Sequence, residues 1–195
     1  MAFADMPFEE LLDSIAAETP APGGGSSAAF VTEMAASLAA MCGRFARDHW
    51  EGWAGAVAQA ETLRHRAAPL AVEDAVAYEN VLTAMRMPKD LEPEVRNTLI
   101  GETLSRAAEA PLGIAECAAD VAGLACEITV SGNPNLRADA AAASVLAAAA
   151  ARVAANLVEV NLATTEEDER VERARWLAGT AEKAAAKALA AAAGA

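Results

Sequence analysis

Strand-forming residues are scarce in this chain, and their scarcity limits the folds open to it. Aromatic residues make up 4% of the 195 positions, whereas alanine alone accounts for 55 of them. Alanine has the highest helix propensity, while sheets favour aromatic and β-branched residues. The composition therefore predicts an all-α protein, built as a bundle of long, partly kinked helices.

Cations are also few. Lysine and arginine total 15 against 28 aspartates and glutamates, a formal net charge of −13, and no basic stripe is visible. Nucleic-acid binding needs clustered cations, so no nucleic-acid partner is expected.

The N-terminus carries acids where a secretory signal carries lysine or arginine. The longest uncharged alanine-rich run, 140–151, is too short for a membrane helix. We expect a cytoplasmic protein with no membrane partner.

Cysteine and histidine are rare and scattered. The three cysteines, Cys42, Cys117 and Cys126, form no C-x-x-C pair, and His49 and His65 lie far from them in sequence. This spacing is typical of buried helical thiols and provides neither a disulfide framework nor a zinc site. We expect no metal.

Helical periodicity and chain breakers organise residues 1–195 as one helical domain. Prolines and a turn cluster at 131–135 divide the domain into helices. The predicted helices cover about 7–17, 26–47, 54–87 with a kink at Pro69, 93–130 with an interruption at Pro111, 137–161, and a last helix from a capping box at 164–167 to about 193.

Two of the predicted helices, 26–47 and 137–161, are apolar on nearly every face. The few amphipathic helices that remain in a chain of this size cannot cover both. A second copy, related by two-fold symmetry, is the simplest cover for the remainder. We therefore expect a two-fold homodimer.

A glycine-rich segment lies between the first two predicted helices. In Thr19–Ser27 two prolines restrict the backbone, three glycines permit positive φ, and two serines can cap the helix that follows. A helix start offers unpaired N–H groups, so this segment can bring backbone donors close to an anionic or carbonyl-rich ligand. It lacks the Gly-Lys-Ser/Thr ending of a phosphate-binding loop, and a plain linker between helices is the alternative.

Asp74 stands at the head of a largely apolar helical row that continues through Tyr78, Val81 and Met85. A carboxylate in such surroundings loses solvation, its pKa rises, and it suits general acid or base work. A solvated position beside Glu73 is the alternative that spacing leaves open. Three other polar residues leave a choice between structural hydrogen bonding and ligand contact: Asp139, Asn156 and Asn161.

With these residues assembled, the sequence resembles the cyclodeaminase/cyclohydrolase family of tetrahydrofolate one-carbon enzymes. That family includes the C-terminal domain of formiminotransferase-cyclodeaminase and stand-alone bacterial methenyltetrahydrofolate cyclohydrolases. The resemblance runs over nearly the whole chain and is carried, in order, by segments 19–27, 74–78, 84–89, 110–112, 132–139 and 156–162. It implies an all-α dimer, which is also what the composition predicts.

Carried over by position, the resemblance implies that Asp74 is the catalytic carboxylate. It places the folate against the glycine segment, at Gly23, Gly24, Gly25 and Ser26. It also implies that the pocket is completed by Asn133, Asp139 and Asn156. The candidates for holding the anionic glutamate tail are Arg44, Arg47 and Lys89; the two arginines lie where many stand-alone cyclohydrolases have a lysine-rich stretch.

The resemblance favours cyclodeaminase activity, in which 5-formimidoyltetrahydrofolate yields 5,10-methenyltetrahydrofolate and ammonia. Segments 84–89 and 110–112 look closer to the bifunctional enzyme. The alternatives are 5,10-methenyltetrahydrofolate cyclohydrolase, in the same family, and a non-catalytic folate-binding helical dimer. No permanently bound cofactor is expected, because one carboxylate in a dry pocket can move the proton and stabilise the substrate cation. The substrate is a tetrahydrofolate derivative, and a separate formiminotransferase is a candidate partner.

Overall fold

The computed structural model describes residues 3, 6–88, 92–163 and 167–194, and these residues form helices and no strand. The all-α class predicted from composition is confirmed. The capping box expected at 164–167 lies outside this description, Glu167 apart. In chain order the described α-helices are α1 (Phe8–Ala16), α2 (Gly24–Arg44), α3 (Trp53–Ala67), α4 (Leu70–Met85), α5 (Pro93–Ala107), α6 (Glu109–Ser131), α7 (Arg137–Asn161) and α8 (Glu169–Ala193), with a 3-10 turn at Pro134–Leu136.

Prolines account for two breaks in the helical chain. The predicted helix over 54–87 is two helices, because α3 ends at Ala67 and α4 begins after Pro69. The second predicted break comes earlier than its proline: α5 ends at Ala107, and Pro111 lies in the first turn of α6. Since a proline has no N–H, the Ala107 carbonyl lacks a backbone donor four residues ahead, and the helix ends there.

Three alanine-rich helices make the centre of the bundle. α2, α6 and α7 pack against one another, α8 covers α6 and α7, and α3 covers α2 and α6. α4 and α5 pair with each other, and α4 also packs on α2 and α6. Small residues fill the contacts, for example Ala36, Ala118 and Ala147, which are fully buried. Because these side chains are short, the helix backbones approach closely.

One helical stretch, Pro134–Asn161, is long and apolar enough to span a membrane by length and composition. Its apolar window is 56% buried inside the protein, and the core helix of a soluble protein passes the same test. The stretch is therefore only weak evidence of a membrane span.

The glycine segment differs from its prediction. α2 begins at Gly24 rather than Ser26, so the second and third glycines form its first turn. No described glycine has a positive φ, and no side chain caps α2; Gly23 is the N-cap, and the Ser27 hydroxyl donates to its carbonyl at 2.8 Å. The expectations of positive φ and serine capping are therefore wrong.

Cys42, Cys117 and Cys126 are buried free thiols on helices, as their spacing predicted. Burial raises the pKa of the Cys42 and Cys117 thiols to about 11, so both stay protonated near neutral pH. Among the residues that the structure describes, no group of three or more His, Cys, Asp or Glu side chains could hold a metal ion. The absence of a metal remains a prediction.

Arg170 ties the start of α8 to the junction between α5 and α6. Asp168 is the N-cap of α8 and accepts from the Arg170 N–H at 3.0 Å. The Arg170 guanidinium donates to the Asp168 carboxylate, to Glu109 at 2.6 Å and to the Ser105 carbonyl at 2.9 Å. Hydrogen bonds from Arg170 hold the pKa of Asp168 at about 2.

Arg170→Ala is expected to lower the free energy of unfolding by about 2 kcal/mol, or about 4–8 °C in Tm, because several acceptors lose one charged donor. Since the pKa of Asp168 is lowered in the folded state, its charged carboxylate stabilises the fold. This stabilisation is present above about pH 4 and is lost as the pH falls toward 2. Thermal unfolding from pH 7 to pH 2.5 measures both effects. Arg175→Ala is the control, because Arg175 is 53% exposed and its pairs are at the surface. Equal losses in the two variants would contradict this prediction.

Candidate active site

A cleft of about 280 Å³ opens where four parts of the chain meet. One part is the segment leading into the first turn of α2; the others are α4, the end of α5 and the C-terminal turns of α7. The glycine segment and Asp74, which the sequence singled out separately, therefore share one cleft. Its lining residues are Pro20, Ala21, Gly23, Gly24, Gly25, Asp74, Ala75, Tyr78, Ala107, Leu157, Val160 and Asn161.

Asp74 is held by one of its two carboxylate oxygens. The Ser26 backbone N–H, in the first turn of α2, donates to Asp74 Oδ2 at 2.9 Å. The Ser26 hydroxyl lies 3.3 Å from the same oxygen but 2.8 Å from the Ala71 carbonyl oxygen. A hydroxyl has one proton, and the shorter distance assigns that proton to Ala71. The hydroxyl therefore ties α2 to α4, while the N–H orients the carboxylate.

Gly25 makes this close approach possible. A Cβ on Gly25 would lie 2.6 Å from Asp74 Oδ2 and closer still to Oδ1, below the 3.0 Å that real Cβ contacts respect. A Cβ on Gly24 would meet nothing within 4 Å. The carboxylate therefore rests against the bare Cα of Gly25, and space rather than φ requires glycine there.

The surroundings of Asp74 shift its titration to higher pH. Burial raises the pKa of the Asp74 carboxyl above its ordinary value, and the hydrogen bond from the Ser26 N–H opposes that shift. A carboxyl whose pKa moves toward neutrality can take up a proton and return it during a reaction. Asp74 therefore has the properties of a general acid–base group, which a solvated surface acid lacks.

Asp74 is the one charged side chain among the described residues that line the cleft; none of them is lysine, arginine or histidine. The other polar groups are the Tyr78 hydroxyl, the Asn161 amide and the glycine backbone, and the remaining walls are apolar. A carboxylate in surroundings of low dielectric attracts a cation more strongly than it does in water. The cleft is therefore suited to a cationic ligand with apolar surface beside the charge.

The two arginines predicted at the substrate lie far from Asp74. Arg44 and the nearby Arg47 are at the C-terminal end of α2, a helix of 21 residues, so about 30 Å separates them from its first turn. The Arg44 guanidinium donates to Glu61 at 2.6 Å, and the Arg47 guanidinium lies 4.9 Å from the centroid of the Trp53 ring. Within one chain, therefore, neither arginine lines the cleft, and their contact with the glutamate tail stays a prediction.

Asn133 and Asp139 lie near that distant end of α2 as well. Asn133 Nδ2 donates to the Phe45 carbonyl, just after α2, at 3.2 Å, and its Oδ1 accepts from the Asn135 N–H at 3.0 Å. Asp139 is exposed in the first turn of α7. Neither residue lines the cleft within one chain.

The last turns of α7 bring a different asparagine to the cleft. Asn156 is exposed on α7 and does not line the cleft within one chain, whereas Asn161 does. Both asparagines interrupt the apolar sequence of α7. They differ in the direction that each side chain takes from the helix axis, and only Asn161 faces the cleft. Lys89 lies outside the described residues.

The fold and the cleft together define an all-helical protein whose cleft is lined by one partly buried carboxylate, that of Asp74. A family model described as formiminotransferase-cyclodeaminase matches residues 7–178. The chain belongs to that family.

Its relatives share this family name or its folate chemistry. The chain is 32% identical over 161 residues to the methenyltetrahydrofolate cyclohydrolase of Methylorubrum extorquens, which covers 78% of this chain and 77% of that protein. It is 30% identical over 141 residues to the formimidoyltransferase-cyclodeaminase of Sus scrofa, covering 68% of this chain but only 26% of that protein. Its fold matches that of the formiminotetrahydrofolate cyclodeaminase of Thermotoga maritima, with a TM-score of 0.86 over 97% of both chains at 24% identity. The prediction of a folate one-carbon enzyme is confirmed.

Proposed function

We propose that this protein catalyses the cyclodeamination of 5-formimidoyltetrahydrofolate to 5,10-methenyltetrahydrofolate and ammonia. The observation that carries the proposal is the lone carboxylate of Asp74, which is partly buried and packs against Gly25 in a cleft whose described lining has no cationic side chain. The formimidoyl group is protonated near neutral pH, so substrate and product are both cations at the reacting carbon. A fixed carboxylate stabilises that charge throughout the reaction.

The chemistry needs one group that accepts a proton and then returns it. N10 of the folate attacks the formimidoyl carbon, forming the N10–C bond, and the N10 proton passes to Asp74. The carbon is then tetrahedral and carries the amino group. Asp74 returns the proton to this nitrogen, the C–N bond breaks, and ammonia leaves. A carboxyl with a raised pKa suits both steps.

The cyclohydrolase reaction is the second candidate, favoured by the Methylorubrum extorquens relative, 77% of which is matched. There Asp74 accepts a proton from a water that adds to the cationic methenyl carbon, and it returns that proton to N5 as the N5–C bond breaks. The hydroxyl proton leaves to solvent, which gives the 10-formyl product. Assays of the purified protein with each of the two folates decide between the reactions. Binding of both folates with turnover of neither would favour the non-catalytic alternative.

We further propose a two-fold homodimer formed through α7. A row of exposed apolar side chains follows this helix, at Val145, Leu146, Val153 and Val160. The row continues into the cleft, because Val160 also lines it. α2, which the sequence also assigned to the interface, is largely covered by α3, α6 and α7. The proposal therefore rests on α7, whose outer face has no cover within the described chain.

Val153→Asp is expected to raise the dissociation constant of the dimer by about 100-fold or more, because a symmetric interface buries the unpaired carboxylate twice. Sedimentation at micromolar concentration should show a dimer for the wild type and a monomer for the variant. Val95→Asp is the control, since Val95 is similarly exposed but lies on α5. A monomeric wild type, or a dimer unaffected by Val153→Asp, would rule out this interface.

The remaining assignments follow from the proposed reaction. No permanently bound cofactor is required, and the folate itself is the substrate. The formimidoyl substrate has to come from a formimidoyl transfer, so a separate formiminotransferase is the proposed partner. We place the reaction in the cytoplasm.

A further inference from the structure

The amide of Asn161 is oriented by a proline on another helix. Pro111 has no N–H, so the carbonyl of Ala107 lacks the donor that a helix normally supplies four residues on. Asn161 Nδ2 donates to the Ala107 carbonyl oxygen at 2.9 Å instead. Because a carbonyl oxygen only accepts, the amide group that faces it has to be the NH2 group, which fixes the orientation of the amide.

This orientation leaves Asn161 Oδ1 free for another partner. In a planar amide the oxygen lies on the opposite side of the carbon from the nitrogen, so Oδ1 points away from Ala107. No donor among the described residues meets Oδ1 within hydrogen-bond distance. Asn161 lines the cleft together with Ala107. The cleft therefore holds two side-chain acceptors of fixed position, Asp74 from α4 and Asn161 from α7.

We propose that Asn161 is a substrate-binding residue whose Oδ1 accepts a hydrogen bond from an N–H group of the ligand. The identity of this ligand rests on the proposed function: reduced folates carry N–H groups on their pterin ring. A ligand that presents an acceptor at this point leaves the Asn161 oxygen unpaired and binds poorly. Asn161 thus selects for the hydrogen-bonding pattern of the ring, while Asp74 acts on the cationic carbon.

Two substitutions at Asn161 separate recognition from packing. Asn161→Asp keeps an acceptor oxygen but loses the donor to Ala107, whereas Asn161→Ala loses both. Both variants should lower Tm. We expect Asn161→Ala to weaken tetrahydrofolate binding by about 10- to 100-fold, measured by titration calorimetry on the whole chain. Asn161→Asp keeps the acceptor but loses the donor that orients it, so its loss of affinity should be smaller than that of Asn161→Ala. Asn97→Ala, an exposed position on α5, controls for the loss of an asparagine.

Equal losses of affinity in the two Asn161 variants would mean that the residue only holds α5 against α7, and would overturn the proposal. A loss in Asn156→Ala without one in Asn161→Ala would overturn it in favour of the residue that the family resemblance implied. Failure of the proposed function gives a different result: the wild type would bind tetrahydrofolate and turn over neither folate substrate, and the affinities would still test Asn161. A wild type that does not bind tetrahydrofolate would overturn both.

Discussion

Asp74→Asn is expected to lower turnover by about 10²- to 10⁴-fold, the usual contribution of a positioned general acid or base. Asparagine keeps the size of the side chain and still accepts the Ser26 N–H. It cannot take up a proton or balance the charge of a cationic substrate. The measurement is steady-state kcat with both folate substrates. Glu73→Gln is the matched control, because Glu73 is the adjacent acid on α4 and is exposed; its kcat should be unchanged.

The stability of the Asp74→Asn variant should not fall with its activity. Because the pKa of Asp74 is raised in the folded protein, its charged form costs stability at neutral pH. That cost declines as the pH falls through the folded pKa and is gone below the ordinary value of 3.8. Asparagine has no such cost, so unfolding at pH 7 should need as much free energy as in the wild type, or more. A destabilised variant with normal turnover per folded molecule would make Asp74 a structural residue.

Sequence periodicity and composition predicted the helices well, because alanine-rich segments broken by prolines have few other conformations. The same reasoning misplaced the break before α6. Pro111 was expected to interrupt its own helix, but a proline is tolerated in the first turn and instead removes the donor for a carbonyl four residues earlier. The missing N–H thus leaves the Ala107 carbonyl without a backbone donor, and the Asn161 side chain donates to it instead.

Local pattern marked residues of the candidate site one by one, and only the family resemblance grouped them at one site. The glycine segment and Asp74 were each marked by local pattern, yet nothing local shows that Gly25 and a residue 49 positions later touch. Arg44 and Arg47 were named as candidates for the glutamate tail because they lie where many stand-alone cyclohydrolases have a lysine-rich stretch. A helix of 21 residues holds its two ends about 30 Å apart, so within one chain these arginines do not line the cleft that holds Asp74.

Helical phase explains why Asn161 lines the cleft within one chain and Asn156 does not. Both interrupt the apolar pattern of α7, and five residues turn an α-helix by about 140°, so the two side chains face different surroundings. The packing partner decides which one meets the cleft. In this protein the end of α5 lies beside Asn161, and the Ala107 carbonyl accepts the hydrogen bond from Asn161 Nδ2.

Gly25→Ala is expected to lower turnover by at least about 10²-fold, because the new Cβ would occupy the space of the Asp74 carboxylate and force it out of position. Crowding should also lower the free energy of unfolding by about 1–3 kcal/mol. Steady-state kcat and thermal unfolding measure the two effects. Gly123→Ala controls for adding a methyl group to a helix, since a Cβ there meets nothing within 4 Å, and its kcat should be that of the wild type.

Gly24→Ala tests the same turn of α2 without the contact. Its Cβ would lie in open space, and alanine exceeds glycine in helix propensity by about 1 kcal/mol, so the variant should be at least as stable as the wild type.

If Gly25 acts through the carboxylate, Gly25→Ala should cost little further turnover once Asp74 is asparagine, because the two changes then remove one function. Additive losses in the double variant would instead mean that Gly25 affects folate binding independently of Asp74.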